Sequence, residues 1–386
     1  MAVDKAALTI IISLWYSNSM TRVYEYRLRP NKQQGQRLQG LLDSTRALYN
    51  QCLEEVINHY KKTGKHLNRF AQDKCHGVKE HPDLPAVLVD KVLDRVHRSF
   101  DNFFRGIKSS KHIGFPRFKS YHRWRSFEFR DVTHRIDGSY FLAGRSLGKI
   151  RTIVHRPVEG DFKFARIVKR PSGWYVQCVC DVDEQPLPTR DSAVGLDMGI
   201  TYLLADSNGM VAENPKWYRS SLKTLAHAQK ILSRKKKGSN RRRKQAKLVA
   251  RHHERITNRR KDALHKLSRQ YIDRYQTIVI EDLQPSNMVR NHNLAMSIAD
   301  ASWGMLRNML AYKAESAGRQ LIAINPRYTS QQCSKCGEYV QKALSVRTHI
   351  CPHCGYVANR DVNAACNILR RGLGEAVGEC LQWQTR

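Results

Sequence analysis

No apolar run in this sequence approaches the ~18 consecutive residues that a membrane helix needs, so no membrane partner is expected. The short stretch Ala7–Tyr16, after Lys5, looks like a secretion signal but lacks a small-residue cleavage site, and a chain this basic would translocate poorly. A cytoplasmic protein is expected, nucleoid-associated when bound to DNA. A disulfide framework is also missing. Four of the ten cysteines form two Cys-x-x-Cys pairs, while Cys52, Cys75, Cys178, Cys180, Cys366 and Cys380 are scattered. That is metal-site usage in a reducing compartment. No internal repeat is visible. Acidic residues are scarce: 34 Asp and Glu stand against 67 Lys and Arg, leaving a formal charge of +33 and a pI near 10.0. A monomer this basic repels itself unless a polyanion neutralises it, which makes nucleic acid the leading partner. Charge alone does not separate an enzyme from a structural ribosomal or chromatin-type protein.

The 386 residues allow two or three domains. Arg22–Arg29 alternates as a strand ended by Pro30-Asn31, and helical spacing then covers 32–60 and about 85–107. Short alternating segments fill 115–183, so the first strand is expected to return to a small β module that the helices split. Beyond Glu184–Asp191 come strands at Val194–Met198 and Tyr202–Ala205 with a turn at Asn208-Gly209. A long basic helical region follows over about 220–275, then a buried-type strand at Thr277–Glu281. Trp303–Ala317 is expected as a helix stopped by Gly318, Gln320–Ile324 as a strand, and a last helix from near Asp361.

Three constellations carry chemistry. Cys333, Cys336, Cys351 and Cys354 form two knuckles, each followed by glycine (Gly337, Gly355). Two knuckles close a tetrahedral sulfur site suited to one structural zinc, and four protein ligands leave no open position. Second, Asp197 and Glu281 each end an apolar strand, and Asp361 opens a helix. Such carboxylates can converge on hard divalent cations, and two ions about 3.5–4 Å apart drive phosphodiester cleavage. Singly, each acid has a dull explanation, such as a helix cap for Asp361. The three together, in an order that builds an RNase H-type sheet, point to a nuclease; Asp191 and Asp282 are decoys. Third, Lys223–Lys261 holds sixteen Lys or Arg and one acid, Glu254. Lys235, Lys236, Lys237, Arg241, Arg242, Arg243 and Lys244 are the candidate phosphate contacts, since a solvated helix face would normally mix signs. Within Phe115–Arg130, Arg117, Lys119 and Arg125 lie among aromatics that suit base stacking or a core edge equally.

From Thr21 to about Leu369 the sequence resembles the transposon-encoded TnpB (OrfB-type) family, related to the type V CRISPR effectors. The matching pieces are Tyr26-Arg-Leu-Arg-Pro30, Gly195-Leu-Asp-Met-Gly199, the Lys-Gly-Ser-Asn-Arg-Arg box and Ile280-Glu-Asp-Leu283. Thr329-Ser-Gln-Gln-Cys-Ser-Lys-Cys-Gly337 and Arg360-Asp-Val-Asn-Ala-Ala365 complete them. The resemblance implies a multidomain α+β protein: a split β-barrel wedge domain over 21–31 and 112–187 and a helical recognition domain over 32–111. It further implies an RNase H-like RuvC nuclease domain over 188–327 and 358–372, with an inserted zinc ribbon over 328–357. Residues 1–20 are then an extension without fixed structure, and 373–386 a tail. The implied activity is that of a monomeric protein that uses a guide RNA from the transposon end to cleave double-stranded DNA beside a short motif. Mg2+ (two ions, or Mn2+) would be held by Asp197, Glu281 and Asp361, beside one Zn2+. Asn359 stands where many relatives carry an Asp, which favours Asp361 as the ligand. Some members have lost nuclease acids and act as guided regulators; all three acids are present here. A DNA-joining transposase would use the same acids. The other transposition route needs a catalytic Tyr with a His-hydrophobe-His pair, and neither is evident.

Overall fold

The computed structural model describes residues 19–76, 81–109, 113–130, 135–183, 186–284, 288, 290–343 and 346–374. The chain divides into two compact units between Asp183 and Glu184.

In the first unit, strand β1 (Ser19–Arg29) buries Tyr24, Tyr26 and Leu28 on one face. It begins three residues before the visible alternation and takes in Ser19 and Met20, expected in the extension, because its antiparallel ladder with β7 (Gly173–Asp183) runs from Ser19↔Asp183 to Leu28↔Trp174. Asn31 then turns strand into helix. Its side chain accepts from the Gln34 amide at 2.8 Å while the Gln34 side chain accepts from the Asn31 amide at 3.1 Å, a reciprocal cap. Helix α1 (Lys32–Thr63) stops at Gly64, whose φ of +68° is the left-handed conformation that glycine supplies without strain. After short α2 (Arg69–Asp73), α3 (Ala86–Lys108) packs Leu88, Val92, Val96 and Phe100 into the core it shares with α1.

The chain re-enters the sheet as β2 (Ser126–Phe129), β3 (Ile136–Asp137), β4 (Tyr140–Leu142), a helical turn α4 (Gly144–Leu147), β5 (Lys149–Ile153) and β6 (Asp161–Arg170). The order is β2-β6-β7-β1-β5-β4-β3, every pairing antiparallel. The helices thus split the sheet in sequence and not in space. Among the described residues no pairing joins β2 to β3, so the sheet is open.

The second unit is built on β8 (Ala193–Asp197), β9 (Tyr202–Asp206), β10 (Val211–Glu213), β11 (Thr277–Glu281) and β12 (Gln320–Ile324), ordered β10-β9-β8-β11-β12. The first three are antiparallel, while β11 runs parallel to both β8 and β12. The basic region is two helices rather than one, α5 (Trp217–Ser233) and α6 (Asn240–Arg274), closed on Leu225, Ala228 and Val249. The break falls at Gly238-Ser239, poor helix formers, with Ser239 capping α6 by accepting from the Arg242 amide. Gly238 at φ +83° makes the turn, and the Arg242 guanidinium donates to the carbonyls of Leu232 (2.7 Å) and Lys235 (3.0 Å). Next come α7 (His292–Ala301), absent from the sequence reading, and α8 (Trp303–Ser316). A small hairpin, β13 (Thr348–Ile350) with β14 (Val357–Asn359), leads into α9 (Arg360–Leu373). No helix among the described residues is long and apolar enough to cross a membrane.

Helices cover both faces of this sheet. Val194, Leu196, Ile278 and Ile280 pack toward α6 and α8, and Val279 packs with Ile368 and Leu369 of α9. Helix α9 approaches so closely at Gly195 that a Cβ there would lie 2.1 Å from the Ala365 carbonyl oxygen and 2.6 Å from the Leu369 nitrogen. Backbone cannot yield as a side-chain tip can. Gly195→Ala should therefore destabilise the protein by about 3 kcal/mol or more, read as a lower urea midpoint. Gly304→Ala on α8, where nothing lies within 4 Å, should instead gain up to about 1 kcal/mol from helix propensity.

Candidate functional site

Period-2 alternation decides which strand residues meet α9. Parallel pairing sets Leu196 beside Ile280, and both face α6 and α8. The next residues, Asp197 and Glu281, fall on the opposite face at adjoining strand ends. Asp361 arrives from above, near the start of α9, with its Oδ2 4.0 Å from the position a Cβ would take at Gly199. The helix cap is already filled: the Asn359 side chain accepts from the Asp361 amide at 2.9 Å. The Asp361 carboxylate is thereby left over for other work. Of the decoys, Asp282 turns to the other face and pairs with Arg307 of α8; Asp191 is exposed before β8.

The two neighbouring acids disfavour the charge of Asp197. Burial, then the neighbouring Glu281 and Asp361, hold the Asp197 carboxyl well above the usual carboxylate range, against a smaller pull from Arg360. Glu281, 7% exposed, is also raised by burial, opposed by the Thr329 hydroxyl, which donates to its Oε1 at 2.5 Å, and by Arg371. A buried carboxylate with two more oxygen donors beside it is the kind of donor set a hard divalent cation suits. The three acids are more loosely gathered than a single-ion cage, since their oxygens do not all lie within 4.8 Å of one another.

The four knuckle cysteines are tighter and could hold zinc. Sulfurs around a tetrahedral zinc lie about 3.8 Å apart; Cys333 and Cys354 are separated by 3.7 Å, Cys336 and Cys351 by 3.5 Å. Each knuckle closes on its glycine, with the Gly337 amide donating to the Cys333 carbonyl (2.8 Å) and Gly355 to Cys351 (3.0 Å). Helix α9 grips this hairpin through residues the sequence reading passed over. Asn363 accepts from the Ser334 amide at 2.9 Å and donates to the Gln332 carbonyl at 2.7 Å. Asn367 donates to Thr329 (2.9 Å) and Gln332 (2.7 Å). Both asparagines are fully buried, on a face they share with the buried Arg360 and Arg370, and their sequence pattern alone does not mark them.

Residues 177–292 match the OrfB_IS605 family model, described as "Probable transposase"; 303–368 match "Cas12f1-like, TNB domain" and 20–65 "Helix-turn-helix domain". A Streptomyces pristinaespiralis protein named "Putative RNA-guided DNA endonuclease" is 34% identical over 365 residues, covering 91% of this chain and 89% of its own length. The chain belongs to the OrfB (TnpB-type) family. An Escherichia coli K12 relative, "Putative RNA-guided DNA endonuclease InsQ", is 32% identical over 389 residues, 94% of this chain and 95% of its own. Among solved structures, the chain in "Cryo-EM structure of the Cas12f1-sgRNA-target DNA complex" matches with a TM-score of 0.57 at 14% identity, covering 91% of this chain and 99% of that one. The fold is therefore the mixed α/β multidomain fold seen there. Despite its family description, the 20–65 segment holds a strand and one continuous helix.

In this family member the basic candidates are unevenly placed. Lys236, Lys237, Arg241, Arg243 and Lys244 are exposed around the α5–α6 turn, and Lys235 is half-buried. Arg242 is occupied in holding that turn. In the aromatic stretch, Trp124 is core: its ring lies 4.9 Å from that of Tyr49 and its N–H donates to Thr45 at 3.0 Å. Arg117 and Arg125 are exposed beside the exposed rings of Phe115, Phe118 and Tyr121, whereas Lys119 sits over the Tyr49 ring. The core-edge reading thus describes Trp124, while Arg117, Arg125 and the rings of Phe118 and Tyr121 stay exposed.

Two outcomes are expected. A carboxyl whose folded-state pKa is raised weakens the metal-free fold as pH climbs from about 4 through the raised value. Asp197→Asn should therefore unfold at a higher temperature than wild type at pH 8 without divalent ions. Zinc on the four thiolates should survive mild chelation. Cys333→Ser or Cys354→Ser should lower the metal content by one equivalent and the yield of soluble protein.

Proposed function

We propose that this protein is an RNA-guided DNA endonuclease that cuts DNA next to a short motif by divalent-metal-dependent phosphodiester hydrolysis. The observation that carries this is the convergence of Asp197, Glu281 and Asp361 at the end of the β8–β11 ladder, in a chain of +33 charge whose full-length relatives bear that name. The acids belong to a RuvC-type domain formed by the second unit. Its three antiparallel strands followed by parallel ones, with α9 across the face, support the RNase H-like reading. The four-cysteine hairpin is its zinc ribbon, the seven-stranded sheet of the first unit the wedge domain, and α1–α3 the recognition domain.

Two Mg2+ ions held by the three carboxylates would, when bound, activate a water and stabilise the leaving oxygen. The protein's own residues prepare that site. Thr329 fixes the rotamer of Glu281. Arg360 and Arg371 moderate the charge of the acids without pairing off their oxygens. Lys236, Lys237, Arg241, Arg243 and Lys244 hold phosphate backbone, and base pairing with a transposon-derived guide supplies sequence choice.

Loss of a metal-orienting neighbour alone typically costs 10–100-fold in activity, so Asp197→Ala, Glu281→Ala or Asp361→Ala should each lower plasmid cleavage by about 100-fold or more, with nucleic-acid affinity retained. Wild type loaded with its RNA should cut a matched plasmid carrying the motif and leave a scrambled one intact. Equal cutting of both would leave a nuclease but remove the guide, and full activity of Asp361→Ala would remove that residue from the site.

A further inference from the structure

Outside the nuclease acids and the knuckle cysteines, one group of metal-type donors meets among the described residues, and it lies in the helical part of the first unit. Cys52 and Glu55 are three positions apart on α1 and so share a face. His76 comes from the chain just beyond α2, with 2% of its side chain exposed. Its Nε2 faces two of these groups at once: Glu55 Oε2 at 2.7 Å and Cys52 Sγ at 3.7 Å. Its Nδ1 meets His81 Nε2 at 2.9 Å. All three donor atoms lie within 4.8 Å of one another.

We propose that Cys52, Glu55 and His76 form a second zinc site, which ties α1 to the chain that follows α2. One ring nitrogen carries either a proton or a lone pair, so it cannot satisfy a thiol and a carboxylate together; a cation between them serves all three. The surroundings fit a ligating histidine. In the metal-bound form Nδ1–H would donate to His81 and leave the Nε2 lone pair for the ion, as an outer-shell acceptor does for a metal-bound imidazole. Gln72 steadies the site by donating to Glu55 Oε2 at 2.9 Å and to the Cys52 carbonyl at 2.8 Å. Thiolate, imidazole and carboxylate together suit zinc. Sulfur and nitrogen on a tetrahedral zinc lie about 3.6 Å apart and nitrogen and oxygen about 3.4 Å. The first gap is already present; the second opens when the ion replaces the proton shared by Glu55 and His76. The Glu55 side chain, 34% exposed, has room for that movement and leaves the fourth position to water. Without an ion, burial and the Glu55 charge push the Cys52 thiol up to about 12, so zinc must displace its proton.

The full chain is equilibrated with zinc, cleared of free ion by gel filtration and assayed for metal. Wild type should hold one equivalent more than Glu55→Gln or Cys52→Ser. Glu55→Gln should unfold near the wild-type temperature before zinc is added, since its amide keeps the contacts to Gln72 and His76, so its lost equivalent reports on the site and not on the fold. Equal zinc content in wild type and both variants would overturn the proposal. If Cys52→Ser does not fold, Glu55→Gln decides alone. None of these readings depends on cleavage activity.

Discussion

Much of the second unit hangs on one close approach, that of helix α9 to strand β8 at Gly195. A missing Cβ lets the Ala365 and Leu369 backbone settle on the sheet. That contact sets how far the start of the helix reaches over the strand ends, and so places Asp361 beside Asp197. The same helix carries Asn363, Asn367 and Arg370, which bind the loops of the four-cysteine hairpin. Each such buried bond contributes on the order of 1 kcal/mol when made and costs more when one partner is lost. Acid site and cysteine loops thus share one rigid element.

Charge is sorted by sign as well as by position. Like charges near one another repel, so Glu281 and Asp361 beside the buried Asp197 are a local cost. Four other acids in the second unit close ion pairs: Asp300 with Arg260, Asp282 with Arg307, Asp262 with Lys266 and Asp273 with Arg269. Asp197, Glu281 and Asp361 have neighbouring arginines but no ion pair that closes on them. Meanwhile a dense group of cations stands exposed at the α5–α6 turn. An unpaired acid cluster and a turn of exposed cations ask for different counterions, metal for one and phosphate for the other.

Strands β8, β11 and β12 were legible to within a residue, because short apolar runs bounded by polar residues have few other homes. Asp197 and Glu281 could be placed at strand ends for the same reason. The two knuckles were visible because their chemistry is local: the spacing and the glycine sit within five residues. Other features had no such local mark. The α5–α6 turn is marked by Gly238, but the Arg242 contacts to the Leu232 and Lys235 carbonyls that brace it are not. Asn363 and Asn367 look like ordinary polar helix residues until their partners, about 30 to 40 positions away, are known. Cys52 looked scattered because its neighbours Glu55 and His76 carry no pattern that one sequence displays.

What the sequence determined by itself was the inventory and the periods: which acids end strands, which cysteines share a knuckle, where cations outnumber anions. These follow from contacts between residues a few positions apart. Tertiary structure decided the meetings. Parallel register put Asp197 and Glu281 on one face, the Asn359 cap freed Asp361, and the packing of α1 against the chain after α2 set His76 against Cys52 and Glu55. Those outcomes depend on which backbone can approach which, and sequence spacing carries no measure of that distance.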